Sequence, residues 1–139
     1  MFTNRFGAIW LDGGVAPISL TTTPYAFDIY NHYQDGPGVD AGLDGKFHIK
    51  VPGFYMVTFN ISFNGVAGVI YFAQIREDGA TSSYTASAEG IASGGRVNLT
   101  LVAGGKPNKD AVVQAYVYSN NAVAQAFTPT HAQFSIISL

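Results

Sequence analysis

The sequence predicts an all-β protein, built as an antiparallel sandwich of two sheets. Three observations carry that prediction. Runs rich in Val, Ile, Phe, Tyr and Thr follow one another at short intervals, each bounded by Gly, Pro, Asn or Asp. Several of these runs alternate apolar and polar residues with the two-residue period of a half-buried strand. No stretch carries the spacing of a convincing amphipathic helix. At 139 residues the chain reads as one domain, 1–139, with residues 1–5 as a short N-terminal arm.

Strands are expected at 5–11, 16–21, 25–30, 46–51, 54–63, 68–77, 82–88, 96–103, 111–119 and 132–138. The first three come from "NRFGAIWLDGGVAPISLTTTPYAF", where a Gly-led aromatic run precedes a Thr/Ala-rich run and a Thr-Pro step. The Gly- and Asp-rich "HYQDGPGVDAGLDG" is expected to be a surface loop. The run at 46–51 places Phe47, Ile49 and Val51 on one side and Lys46, His48 and Lys50 on the other. A Val-Pro-Gly step then opens the run at 54–63, where Tyr55, Val57, Phe59, Ile61 and Phe63 form one apolar face. On its other face Phe54 and Met56 are also apolar. Asp78-Gly79 ends "VIYFAQIRE" as a tight turn, because Gly tolerates positive φ. In "RVNLTLVA" Val97, Leu99, Leu101 and Ala103 face in, and Arg96, Asn98 and Thr100 face out. "VIYFAQI" and "AVVQAYVY" are apolar or aromatic on both faces for much of their length. A strand with two apolar faces needs a second cover, either a loop or another subunit.

Composition points the same way. Charged residues are 12% of the chain, about half the usual fraction, while hydrophobic residues are 47% and aromatics 14%. The outer faces must therefore be built from small and uncharged polar residues, a surface suited to association. The 7 Lys and Arg residues are scattered, leaving no phosphate-tracking stripe for nucleic acid. Zero Cys excludes disulfides, thiolate catalysis and Cys-ligated zinc. No run is long enough for a membrane span, and "MFTNRFGAIW" does not read as a signal peptide.

Catalysis and cofactors are not expected. His32, His48 and His131 share no metal-binding spacing, and the His-x-His of metal-binding jelly rolls is absent. Asp35, Asp40 and Asp44 are the oxygen-ligand type that calcium takes, but Asp-Gly is equally turn chemistry and the EF-hand spacing is missing. No Gly-x-Ser-x-Gly frames a nucleophile, and "IASGGR" leads into a strand rather than a phosphate-binding helix. The sequons at Asn60 and Asn98 read as chance.

"GKFHIKVPGFYMVTFNISF" resembles the signature of the tumour-necrosis-factor and complement globular-head superfamily: Gly-x-Phe, a short strand, Pro-Gly-x-Tyr, then an aromatic-rich strand. "FSIISL" matches its closing strand, and "GGRVNLTLVAGG" followed by "DAVVQAYV" has the order of its sixth and seventh strands. The family usually joins those two by a Gly-Asp turn; here "GGKPNKD" is longer and lacks that dipeptide. The resemblance covers about residues 25–139. It implies a ten-stranded jelly roll assembled as a compact homotrimer. By matched position it implies that Tyr55, Val57, Phe59, Ile61, Phe134 and Ile136 fill the subunit core. Phe54, Met56, Thr58, Asn60, Gln133, Ile137 and Leu139 would face the neighbouring subunits.

Function is then expected in assembly or binding rather than catalysis. Residues 4–27, "NRFGAIWLDGGVAPISLTTTPYAF", resemble the entry to jelly-roll heads in phage decoration and fibre proteins. That resemblance implies a virion structural protein made in the host cytoplasm. It would be a homotrimer that decorates the capsid surface and contacts the major capsid protein or another virion protein. The alternative is a receptor- or glycan-binding fibre tip, with Tyr30, Tyr33 and Tyr84 as candidate sugar contacts. A secreted cytokine- or complement-like ligand comes third. It would be expected to carry secretion or membrane signals and a collagen-like stalk.

Overall fold

The alternation of the sequence persists through a computed structural model of the chain, which describes residues 4–80, 84–92 and 94–139. Among these residues all regular structure is extended: β1 (Phe6–Asp12), β2 (Ile18–Leu20), β3 (Tyr25–Ala26), β4 (His32–Gln34), β5 (Val39–Ala41), β6 (Lys46–Ile49), β7 (Tyr55–Asn64), β8 (Ile70–Glu77), β9 (Thr85–Glu89), β10 (Arg96–Gly105), β11 (Val112–Ser119) and β12 (Gln125–Ser138). One sheet has the order β10-β7-β12-β1-β4, with β2 paired to the early part of β12. The second runs β5-β6-β11-β8-β9, with β3 paired to β11. The pairings are antiparallel throughout. Neighbours in space are mostly distant in sequence, which is the jelly-roll arrangement.

The inner faces of the two sheets meet over an aromatic core. Phe47 stacks on Phe134 with ring centres 4.4 Å apart, and Phe63 packs against Phe127 at 4.3 Å and Tyr71 at 4.8 Å. Tyr55, Val57, Phe59, Ile61, Phe134 and Ile136 all lie in this core, none more than 7% exposed. The two-residue period turns the odd-numbered residues of β7 and, past the bulge, the even-numbered residues of β12 into this core, and the residues between them outward.

Both pieces of the Gly-x-Phe and Pro-Gly-x-Tyr signature have a steric or bonding reason. Gly45 holds φ +81°, and a Cβ there would lie 2.8 Å from the Asp28 Cα and 2.9 Å from the Phe27 carbonyl oxygen. Only glycine lets the chain pass so close while entering β6. Tyr55 donates its hydroxyl back to the Val51 carbonyl at 2.6 Å, closing the Pro52-Gly53 step against the core.

The structure corrects the strand map in three places. The segment 32–45, expected as loop, carries two short strands: β4 pairs with β1 in the first sheet and β5 with β6 in the second. Their Asp residues serve local bonds: Asp35 accepts the Ala41 N–H at 2.6 Å, Asp40 pairs with Lys50 at 3.4 Å, and Asp44 contacts His48 at 3.2 Å. The run expected at 25–30 is a strand only at Tyr25–Ala26. Past it, Phe27 and Tyr30 turn into the core, ring edge to face at 5.2 Å. The last strand begins at Gln125 rather than 132. Its register shifts between Pro129 and His131, where it passes from β2 to β1 as a partner. Proline is accommodated at this bulge because no β1 residue pairs with it there. Of the strand expected at 82–88, residues 82 and 83 lie outside the described residues, as do residues 1–3 of the expected arm.

Asp78 (φ 51°) and Gly79 (φ 75°) make the expected turn, closed by the Ala80 N–H on the Glu77 carbonyl at 3.0 Å. Among the described residues the buried Tyr30 hydroxyl has no hydrogen-bond partner. Burial, reinforced by the Asp28 charge, holds its pKa well above the usual tyrosine value.

Candidate subunit interface

The outward face of the first sheet is where the unexplained apolar residues collect. Strand register sets side chains of β10, β7, β12 and β1 in rows across it. Gly104, Met56, Ile137 and Phe6 make the first row; Val102, Thr58, Ser135 and Ala8 make the second. The third holds Thr100, Asn60, Gln133 and Trp10, and the fourth Asn98, Ser62, His131 and Asp12. Beyond the first row, the Leu139 N–H donates to the Phe54 carbonyl at 2.9 Å and sets these two residues side by side.

The face is graded from apolar to polar. At one end Phe54, Met56, Val102, Ile137 and Leu139 are exposed, Leu139 the most at 79%. Hiding what remains exposed of such side chains contributes about 1–2 kcal/mol each. Lys106 reaches over Phe54 with Nζ 5.1 Å from the ring centre, partly covering it. At the other end, Trp10 and His32 stack at 5.3 Å, and the Ser62 hydroxyl donates to Asn98 Oδ1 at 2.6 Å. Among the described residues, the side chains of Asn60 and Gln133 have no hydrogen-bond partner within the subunit. Apolar area beside uncommitted amides is the chemistry of a surface that closes on protein.

The seven residues implied to face a neighbour all lie on this outward side. Phe54, Met56, Gln133, Ile137 and Leu139 are exposed, and Thr58 and Asn60 half-buried. Sequence reasoning did not find Val102, Phe6, Ala8 or Trp10 there. Val102 extends the outward series Arg96, Asn98, Thr100 by one step and was legible from that period alone. The β1 residues needed the β1–β12 register. Tyr30 is corrected as a sugar contact, since its ring is buried. Tyr33 and Tyr84 are exposed at 50% and 47%, and Tyr84 has partners of its own.

The three histidines lie apart in role: His48 against Asp44, His32 on Trp10, His131 in the fourth row. Among the described residues no group of three or more His, Asp or Glu is placed to hold a metal ion. A cleft of about 300 Å³ opens where β8 and β10 diverge, floored by Tyr55, Val57, Ile75 and Ala103, with Arg76 and Glu77 in its lining.

No family model matches the chain, and no curated protein matches it in sequence. Solved structures do match its fold. The globular domain of zebrafish complement 1qA protein superposes with a TM-score of 0.68 at 14% identity, covering 97% of each chain. The Eiger TNF of S. frugiperda gives 0.67 at 10% identity, over 99% of this chain and 94% of that one. Murine APRIL gives 0.60 at 11% identity, over 97% of this chain and all of the other. The chain has the tumour-necrosis-factor-like jelly-roll fold. At these identities the likeness is one of fold.

Proposed function

We propose that the chain works as a homotrimer and a non-catalytic structural head, and that its role is to decorate a phage capsid. The observation that carries the trimer is the graded outward face of the first sheet. Five large apolar side chains at one end of it stay exposed among the described residues, with only Lys106 lying over part of Phe54. The resemblance in 45–63 implies the same assembly, with that face turned to neighbouring subunits.

Decoration follows from the trimer by geometry and mass action. A preformed threefold object matches local threefold sites on an icosahedral lattice, and binding only the assembled shell stabilises that shell. The resemblance of residues 4–27 to phage decoration and fibre heads supports this finer reading. The test is direct: purified protein is mixed with shells of its virus, and sedimentation and shell melting are followed. Co-sedimentation with a raised shell melting temperature is expected; absence of both overturns the decoration role while leaving the trimer standing.

A second reading is favoured by the solved structures of similar fold, which are named as tumour necrosis factor, APRIL and a complement domain. On it the trimer is a recognition head whose outer surface meets a receptor or glycan. Binding to intact cells without binding to shells would select it.

A further inference from the structure

The outward face of the second sheet lies on the opposite side of the sandwich from the proposed subunit interface, so a trimer leaves it open. Its rows follow from register: Lys46, Gln114 and Arg76; then Tyr116, Gln74 and Thr85; then Tyr118, Phe72 and Ser87. Gln74, only 7% exposed, organises the patch. Its Oε1 accepts from Arg76 Nε at 3.0 Å and Nη2 at 2.8 Å, and its Nε2 donates to Thr85 Oγ1 at 3.1 Å and Tyr118 OH at 3.2 Å. The Arg76 guanidinium lies on the Tyr116 ring with Cζ 4.8 Å from its centre. Phe72 and Tyr118 stack beside it at 4.9 Å and 12°.

The guanidinium is thus fixed on one edge and one face. Gln74 takes one N–H from Nε and one from Nη2, which among the described residues leaves the Nη1–Nη2 edge for two parallel bonds to a carboxylate. No acid neutralises it: among the described residues the two ion pairs are Lys50–Asp40 and His48–Asp44, and neither involves Arg76 or Lys46. Glu77, next in the chain, aligns with core-facing Val113 and so leaves the sheet on the other side. Holding an arginine flat, bonded and unneutralised removes most of the ordering entropy that binding would otherwise lose.

We propose that this patch binds an acidic saccharide, with its carboxylate on the free edge of Arg76 and its hydroxyls among Thr85, Tyr118 and Ser87. The aromatic rings supply the apolar contact that the carbon face of a sugar needs. An extended peptide would bind the edge strand β9 through main-chain bonds, whereas Arg76, Phe72, Tyr116 and Tyr118 are side chains of β8 and β11, which lie inside the sheet. A nucleic acid would need a track of cations, and among the described residues the patch offers Arg76 and Lys46, while Lys50 further along the face is paired with Asp40. The patch lies within one subunit, so it stands or falls separately from the trimer.

The test is a titration of the isotope-labelled full chain with glucuronate, glucose and acetate, followed by the amide shifts of β8 and β11. Saturable shifts with glucuronate are expected, with glucose and acetate each at least roughly tenfold weaker. R76K, which keeps the charge and loses the planar edge, should weaken glucuronate by a similar factor at unchanged mass and melting temperature. Equal binding of glucose, or glucuronate binding indifferent to R76K, overturns the role of Arg76. Acetate as tight as glucuronate reduces the patch to a carboxylate site and overturns the saccharide. No saturable shift with glucuronate on the unaltered protein overturns the proposal without reference to any variant.

Discussion

Leu139 and Phe54 are tied by a single backbone hydrogen bond of 2.9 Å, and their side chains are 79% and 60% exposed. That pairing sets the apolar end of the first sheet's outer face. From it, strand register alone carries the row Met56–Ile137–Phe6 and then Val102–Thr58–Ser135–Ala8. The grading of this face from apolar to polar is the physical basis of the assembly proposed above.

Charge placed on that face should separate subunits without unfolding them. Met56→Asp and Ile137→Asp alter outward side chains while the core neighbours Tyr55, Val57 and Ile136 stay in place. Each is expected to reduce the solution mass from three chains to one, with β-sheet circular dichroism retained. A desolvated carboxylate costs several kcal/mol per subunit at a closed interface.

The glycine of the signature carries a different prediction. Gly45→Ala meets backbone at 2.8 Å in a left-handed conformation, and should lose more than about 2 kcal/mol in urea unfolding. Gly13 provides the control: its φ is +101° but nothing lies within 4 Å of the added carbon. Gly13→Ala should therefore lose only the conformational part, about 1–2 kcal/mol.

Tyr30→Phe removes a buried hydroxyl that has no partner among the described residues. The desolvation of that hydroxyl is uncompensated, so the variant should be as stable as the parent or more stable by about 1–2 kcal/mol. Denaturant midpoints at neutral pH decide it; a loss of more than about 1 kcal/mol would mean that the hydroxyl has a partner.

Alkaline titration reads the same residue in another way. Burial first, then Asp28, raises the Tyr30 pKa above 10.0, whereas in the unfolded chain the phenol titrates near that value. Above it the unfolded state has lost a proton that the folded state keeps. Stability present below pH 10 therefore falls as pH rises, by about 1.4 kcal/mol per unit for each such tyrosine. Tyr71, raised by burial, and Tyr25, raised by burial and Asp28, act in the same direction. Unfolding measured from neutral to strongly alkaline pH should show the decline, shallower in Tyr30→Phe.

Much of the fold was legible because β7 and β10 alternate without interruption, so their burial could be read from spacing. The short strands β4 and β5 were not, because His32–Gln34 and Val39–Ala41 lie among Gly, Asp and Pro residues that signal turns. Pairing to β1 and β6 overrides those local preferences. Pro129 hid the first half of β12 in the same manner, since a proline argues against a central strand until the change of partner at the bulge is known. Phe54 and Met56 announced the candidate interface in sequence. Its extent across Val102, Phe6 and Trp10 depends on cross-strand register, which no single run encodes. The Arg76 patch was invisible for the same reason, its bonds joining β8 to β9 and its stacking joining β8 to β11.

The most direct measurement is the absolute mass of the unaltered protein in dilute solution, by light scattering on a sizing column. A mass of three times the 14.8 kDa chain, persisting on dilution, is the predicted result. A mass of one chain would contradict the account, leaving Phe54, Met56, Val102, Ile137 and Leu139 exposed to water with no subunit to cover them.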